Sequence, residues 1–182
     1  MNLFENKSMP FYKFGDVIYL QKISERDWLK FIRSAFKRTG KNIDQHFTEQ
    51  IIELMQSHPY YVQQLSYLIW INTVNNVTEK IMKDSLEDLL SQNSLLFEKE
   101  VDALSAIQLN YLKALASGVT KQFSSKQIIN RYNLGTSGNV VKIQKKLERQ
   151  EIIDKTSDKI CFNDPVFGLW LKERFELDDY PY

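Results

Sequence analysis

The chain has 182 residues, of which 43% are hydrophobic and 26% charged, and its formal net charge is +1. That composition fits an ordinary soluble globular protein of one large or two small domains, and it excludes collagenous, low-complexity and disordered classes. The single cysteine, Cys161, rules out an internal disulfide framework and fits a reducing cytoplasm, while the absence of any apolar run near the roughly 20 residues that span a bilayer, and of a basic region followed by a long apolar run at the N-terminus, gives no reason to expect a membrane partner or a signal peptide.

Residues 1–23 read as an extended connecting segment, in which residues 16–23, DVIYLQKI, alternate loosely as a short strand or a connector would. Helical periodicity begins at Ser24. In SERDWLKFIRSAFKRTG, Ser24 and Asp27 make a near capping box. Leu29, Ile32, Ala35 and Phe36 share one face, and Gly40 supplies the stop. The pattern predicts a second helix over residues 44–56 with Phe47, Ile51, Leu54 and Met55 inward. A third starts near Pro59 and carries Val62, Leu65, Leu68 and Ile69. Thr78 caps a longer fourth helix that runs toward Glu100 through Ile81, Met82, Leu86, Leu89 and Leu90. Residues 24–103 are therefore expected to form a bundle of four helices joined by short loops.

The rhythm changes after residues 102–104. In LSAIQLNYLKALASG, Ser105 and Gln108 form a capping box and Gly118 ends the helix. SSKQIINRYNLG is a short helix capped by Ser124 or Ser125. TSGNVVKIQKKLERQ is a third, with Val140, Val141, Ile143 and Leu147 as its apolar set. EIIDKTSDKICFND then alternates, with Ile152 and Ile153 before a Thr-Ser-Asp turn and Ile160 and Phe162 after it, which predicts a hairpin. DPVFGLWLKERF closes the chain as a helix capped by Asn163 or Asp164, with Pro165 in its first turn. Three helices followed by a hairpin is the element order of a winged helix, and the turn over residues 132–135 strengthens it. The expected architecture is mainly α: a helical bundle at 24–103, then a winged helix-turn-helix domain with a small β-hairpin at 104–182. Trp28, Trp70 and Trp170 are expected to anchor helix contacts, and Phe162, Phe167, Trp170 and Leu171 to fasten the last helix.

Charge is segregated despite the near-zero total. Over residues 118–149 the basic side chains are Lys121, Lys126, Arg131, Lys142, Lys145, Lys146 and Arg149, against one acid, Glu148, so the stretch carries 7 − 1 = +6. Such asymmetry points mildly to an anionic partner. Lys142, Lys145, Lys146 and Arg149 recur at helical spacing on one flank. Asn139 and Gln144 could add polar contacts to bases, and Lys155 and Lys159 would sit near the wing tip. A second basic row, Arg26, Lys30, Arg33 and Lys37, lies along the first helix; it could extend a DNA surface, though solubility is its plainer cause.

Several chemistries are excluded. The sole Gly-Lys pair is Gly40–Lys41, but Ala35 stands where a Walker phosphate loop needs glycine and Asn42 replaces its hydroxyl residue. One Cys and two His, His46 and His58, cannot close a four-ligand zinc site. Cys161 beside Phe162 reads as a buried bystander rather than a nucleophile. There is no Gly-x-Ser-x-Gly elbow, and no catalytic constellation emerges.

Five stretches, PFYKFGDVIYLQKI, HPYYVQQLSYLIW, LSAIQLNYLKAL, YNLGTSGNVVKIQKKL and FNDPVFGLWL, together resemble the C-terminal portion of prokaryotic AAA+ ATPases, in the group near STAND signalling ATPases and archaeal replication initiators. The resemblance covers nearly all of this chain but only the last two parts of such proteins, the helical lid and the winged helix. It implies a parent ATPase whose core holds ATP and magnesium and carries the Walker motifs; this chain would be a fragment, a truncated product or a stand-alone relative, with no cofactor of its own. It also implies that His58 and Pro59, at a helix start, lie near the nucleotide in the parent, with Tyr60 or Tyr61 beside them. A helix start offers free N–H groups and a positive dipole end to a phosphate. Relatives commonly have Gly-x-Pro where this chain has Ser57–His58–Pro59. The plainer account of this element is proline in a first helical turn with tyrosines packed between helices. For the winged helix two expectations stay open: contact with double-stranded DNA, or docking on a protein partner or on the ATPase core, including an autoinhibitory contact.

Overall fold

The computed structural model describes residues 23–156 and 159–178. The strand or connector expected at 16–22 and the hairpin tip at 157–158 lie outside the described residues. Four helices come first: α1 (Glu25–Arg38), α2 (Gln45–Leu54), α3 (Pro59–Asn72) and α4 (Glu79–Asp102). The second group is α5 (Ala106–Ala116), α6 (Lys126–Tyr132), α7 (Ser137–Arg149), the strands β1 (Ile153–Thr156) and β2 (Lys159–Phe162), and α8 (Pro165–Arg174).

Local sequence explains most boundaries. The Ser24 hydroxyl accepts from the Asp27 amide and Thr78 accepts from Ile81, which satisfies one orphan donor at each helix start. The Ser105–Gln108 capping box is fully formed. Ser125, not Ser124, caps α6, and Asp164, not Asn163, caps α8 by accepting from Val166 and Phe167. Gly40 ends α1 in the left-handed region at φ +75°, and Gly118 at φ +98° follows α5.

In the first group the α1–α2 loop pairs with the α3–α4 loop. The Asn42 amide donates to Asn75, and the Val77 amide donates back to Asn42. In the second group β1 and β2 pair antiparallel with Ile153 opposite Phe162. The Ile160 amide also bonds the Thr120 carbonyl, tying the α5–α6 segment to the hairpin. Helices α5, α6 and α7 with this hairpin make a winged helix, and the chain as a whole is mainly α.

One continuous apolar cluster runs through both groups. Helix α4 packs against both α3 and α8. Phe97 is buried against Phe167 and Trp170, with ring centroids 5.2 and 5.7 Å away, and the Trp170 indole donates to Ser94 on α4. Two expected core positions differ. Trp70 is only half-buried: its indole N–H reaches Thr39 at the rim and Lys41 lies over its ring. Val141 is 47% exposed, because α7 buries only the narrow stripe of Val140 and Leu147 against its neighbours.

Candidate functional site

Two places gather the residues singled out in the sequence. The first is the head of α3. Gln56 and Ser57 both adopt left-handed backbone, at φ 48° and 57°, to turn the chain from α2 into α3. Glycine takes that conformation without a Cβ penalty, whereas here two residues with side chains hold it. His58 is the N-cap of α3, but its side chain makes no capping bond, and its Nδ1 is buried without a hydrogen-bond partner. Pro59 follows in the first turn and has no N–H to offer a phosphate.

The two tyrosines separate. Tyr60 is 60% exposed, whereas Tyr61 is buried. The Tyr61 ring lies 5.1 Å from the His58 ring, and its hydroxyl donates to Oδ2 of Asp164. Burial, and then this bond to Asp164, raise the Tyr61 pKa above the usual phenol range. Asp164 therefore does two jobs: one oxygen caps α8 and the other receives Tyr61. Across the same junction Glu100 of α4 has its carboxyl pKa raised, by burial first and then by the charge of Asp164. Gly40–Lys41 is a helix stop away from the head of α3, and no group of three or more metal-ligating side chains gathers among the described residues.

The second place is the outer face of α7. The Thr136 hydroxyl caps this helix, and the preceding turn needs Asn133 and Gly135 in the left-handed region. With Val140 and Leu147 inward, Lys142, Lys145 and Arg149 project to the opposite, exposed side together with Gly138. No salt bridge engages these three cations among the described residues. Asn139 is exposed at the head of the same helix, with its side-chain amide close to Gly135. Lys146 leaves the row: its ammonium donates to Oε1 of Gln108, the buried capping-box residue of α5. Gln144 is also occupied, since its amide donates to Glu148 and holds the one acid of the helix. Lys155 and Lys159 are exposed on β1 and β2. Cys161 is half-buried on β2, its thiol directed at the Asp154 carbonyl across the hairpin.

Sequence reasoning missed the link from Tyr61 to Asp164, which are 103 positions apart. It also missed an apolar stripe on α3. That helix is apolar nearly all round, the pattern of a buried helix, yet Tyr67 and Ile71 are 56% and 54% exposed beside Tyr60.

Residues 95–173 match the model of a protein family described as a probable winged helix domain. Among solved structures, the chain is similar to a Walker-type ATPase of Pyrococcus abyssi, with 18% identity and a TM-score of 0.66. The similarity covers 92% of this chain and 47% of that one, so this chain spans about half the length of that ATPase. No curated protein matches the chain significantly.

Proposed function

We propose that this chain is the non-catalytic C-terminal region of an AAA+/STAND-like ATPase, a helical lid at 24–103 followed by a winged helix at 104–182, and that it couples the nucleotide state of an ATPase core to DNA contact by α7. ATP and magnesium belong to that core, with His58 and Pro59 at its edge. The observation that carries the DNA contact is the outward row of Lys142, Lys145 and Arg149, three exposed cations on the winged-helix element that enters a major groove. Coupling is supported as far as the winged-helix half by contacts of His58 on Tyr61, Tyr61 on Asp164, and Asp164 on the first turn of α8.

The test is fluorescence anisotropy of the chain with a mixed-sequence duplex at low and moderate salt. The wild type is expected to bind with a slope of about −0.9 in log K against log salt for each phosphate neutralised. Lys142→Glu/Lys145→Glu/Arg149→Glu is expected to stay folded and to bind far more weakly. Absence of wild-type binding at low salt would defeat the DNA contact. A second reading, a docking module with no DNA contact, is favoured by the exposed stripe of Tyr60, Tyr67 and Ile71. It predicts that Tyr67→Glu/Ile71→Glu, rather than the lysine variants, abolishes association with an ATPase core.

A further inference from the structure

Neither of those readings uses the polar face of α1. Arg26, Lys30, Arg33 and Lys37 recur at i, i+4, i+7 and i+11, so they form one strip about 16 Å long. Lys41 stands across from them on the α1–α2 loop, and the two sides bound an open groove of about 550 Å³. No carboxylate lines it among the described residues. The four α1 cations are exposed and enter no salt bridge among the described residues. Lys41 is tied instead to the Trp70 carbonyl and ring. Like charges at i, i+4 work against a helix, and surfaces that serve only solubility intersperse both signs. A single-sign groove on a chain of net charge +1 is better explained by an anionic occupant.

We infer that this groove grips the phosphodiester backbone of a nucleic-acid duplex without regard to base sequence, as a contact separate from α7. The lining itself selects that occupant. Its apolar residues, Leu29 and Ile43, are half-buried and buried, so a docking peptide helix would find no exposed anchor. Among the described residues it contains no aromatic side chain, so a single strand finds no stacking platform there. Its amides each spend a donor within the protein, Asn42 on Asn76 and Gln45 on Glu49. What remains is positive charge, two of the four α1 cations being arginines suited to bidentate phosphate contacts. A strip of about 16 Å runs alongside four or five phosphates of one strand, given about 3.4 Å of axis per charge.

The test compares the whole wild-type chain with Lys30→Gln/Arg33→Gln by anisotropy over a salt series, using two duplexes of unrelated sequence. The double variant is expected to weaken binding to both equally and to flatten the salt slope by about 2, with unchanged circular dichroism and thermal midpoint. The charge-keeping swap Lys30→Arg/Arg33→Lys is expected to retain affinity and slope. Unchanged binding in the Gln variant, or no wild-type binding at low salt, overturns the groove. If the Gln variant binds normally while the α7 triple variant does not, the groove falls and the α7 contact stands; the reverse pattern removes α7 and keeps the groove. Polyglutamate is the control probe: if the Gln variant loses polyglutamate but keeps duplex, the occupant is an acidic protein and the inference is wrong.

Discussion

Tyr111 has a ring that stabilises the fold and a hydroxyl that works against it. The ring is fully buried and stacks on Phe123 at 4.2 Å, while the hydroxyl is buried without a partner. Burial, and then the charge of Glu148, raise its pKa, so the phenol stays neutral. Leaving a buried polar group unpaired costs about 1–3 kcal/mol. Tyr111→Phe keeps the stack and is expected to gain about 1 kcal/mol in urea unfolding; a loss would mean that the hydroxyl finds a partner. Glu100 gives a pH-dependent counterpart. Its folded pKa lies above its unfolded value, through burial and then Asp164. Its favourable contribution is therefore present below the unfolded pKa and lost as pH rises through the folded one. At neutral pH the carboxylate is a penalty, one that solvent screens because Glu100 is exposed, so Glu100→Gln is expected to raise the thermal midpoint there only slightly, with the gain vanishing in acid. An equal effect at every pH would reject electrostatics as the cause.

Single elements show where sequence is enough and where packing decides. In α8, Gly168 sits mid-helix, where alanine would ordinarily gain about 1 kcal/mol. A Cβ there would lie 2.7 Å from the buried Phe162 ring of β2. Overpacking a core costs about 1–3 kcal/mol, so Gly168→Ala is expected to lower the thermal midpoint despite its better helix propensity; a higher midpoint would show that the ring yields freely. The same contrast governs what could be read in advance. The caps at Ser24, Thr78 and Ser105 and the basic row of α7 depend on neighbours three or four positions away, so the chain states them directly. Val141 could not be placed, because the width of a buried stripe depends on which elements pack against it. Lys146 was assigned to the outward row, but its partner Gln108 lies 38 positions away. The turn at Gln56–Ser57 carries no glycine to announce its two left-handed residues. Of the site at α3, His58 and Pro59 were legible as a helix start, while the opposite fates of Tyr60 and Tyr61 required Asp164 to be in place.

For the whole molecule, the question is whether the four-helix bundle and the winged helix act as one body. Composition alone allowed two small domains, but α4 spans the junction and contributes Phe97 to the α8 side of the core. Trp170 bonds back to Ser94, and Tyr61 reaches Asp164 from α3. A core shared in this way should unfold as one cooperative unit. Far-UV circular dichroism and tryptophan fluorescence are then expected to give coincident transitions, since Trp28 reports on the bundle and Trp170 on the junction. Phe97→Ala removes a fully buried ring and is expected to cost about 3–5 kcal/mol. It should also separate the two probes, because the loss falls where the halves meet. The proposed coupling of an ATPase core to the face of α7 requires the same continuity. A wild type that already unfolds in two resolved steps would leave the His58–Tyr61–Asp164 contacts too weak to transmit anything, and the winged helix would then be a tethered module.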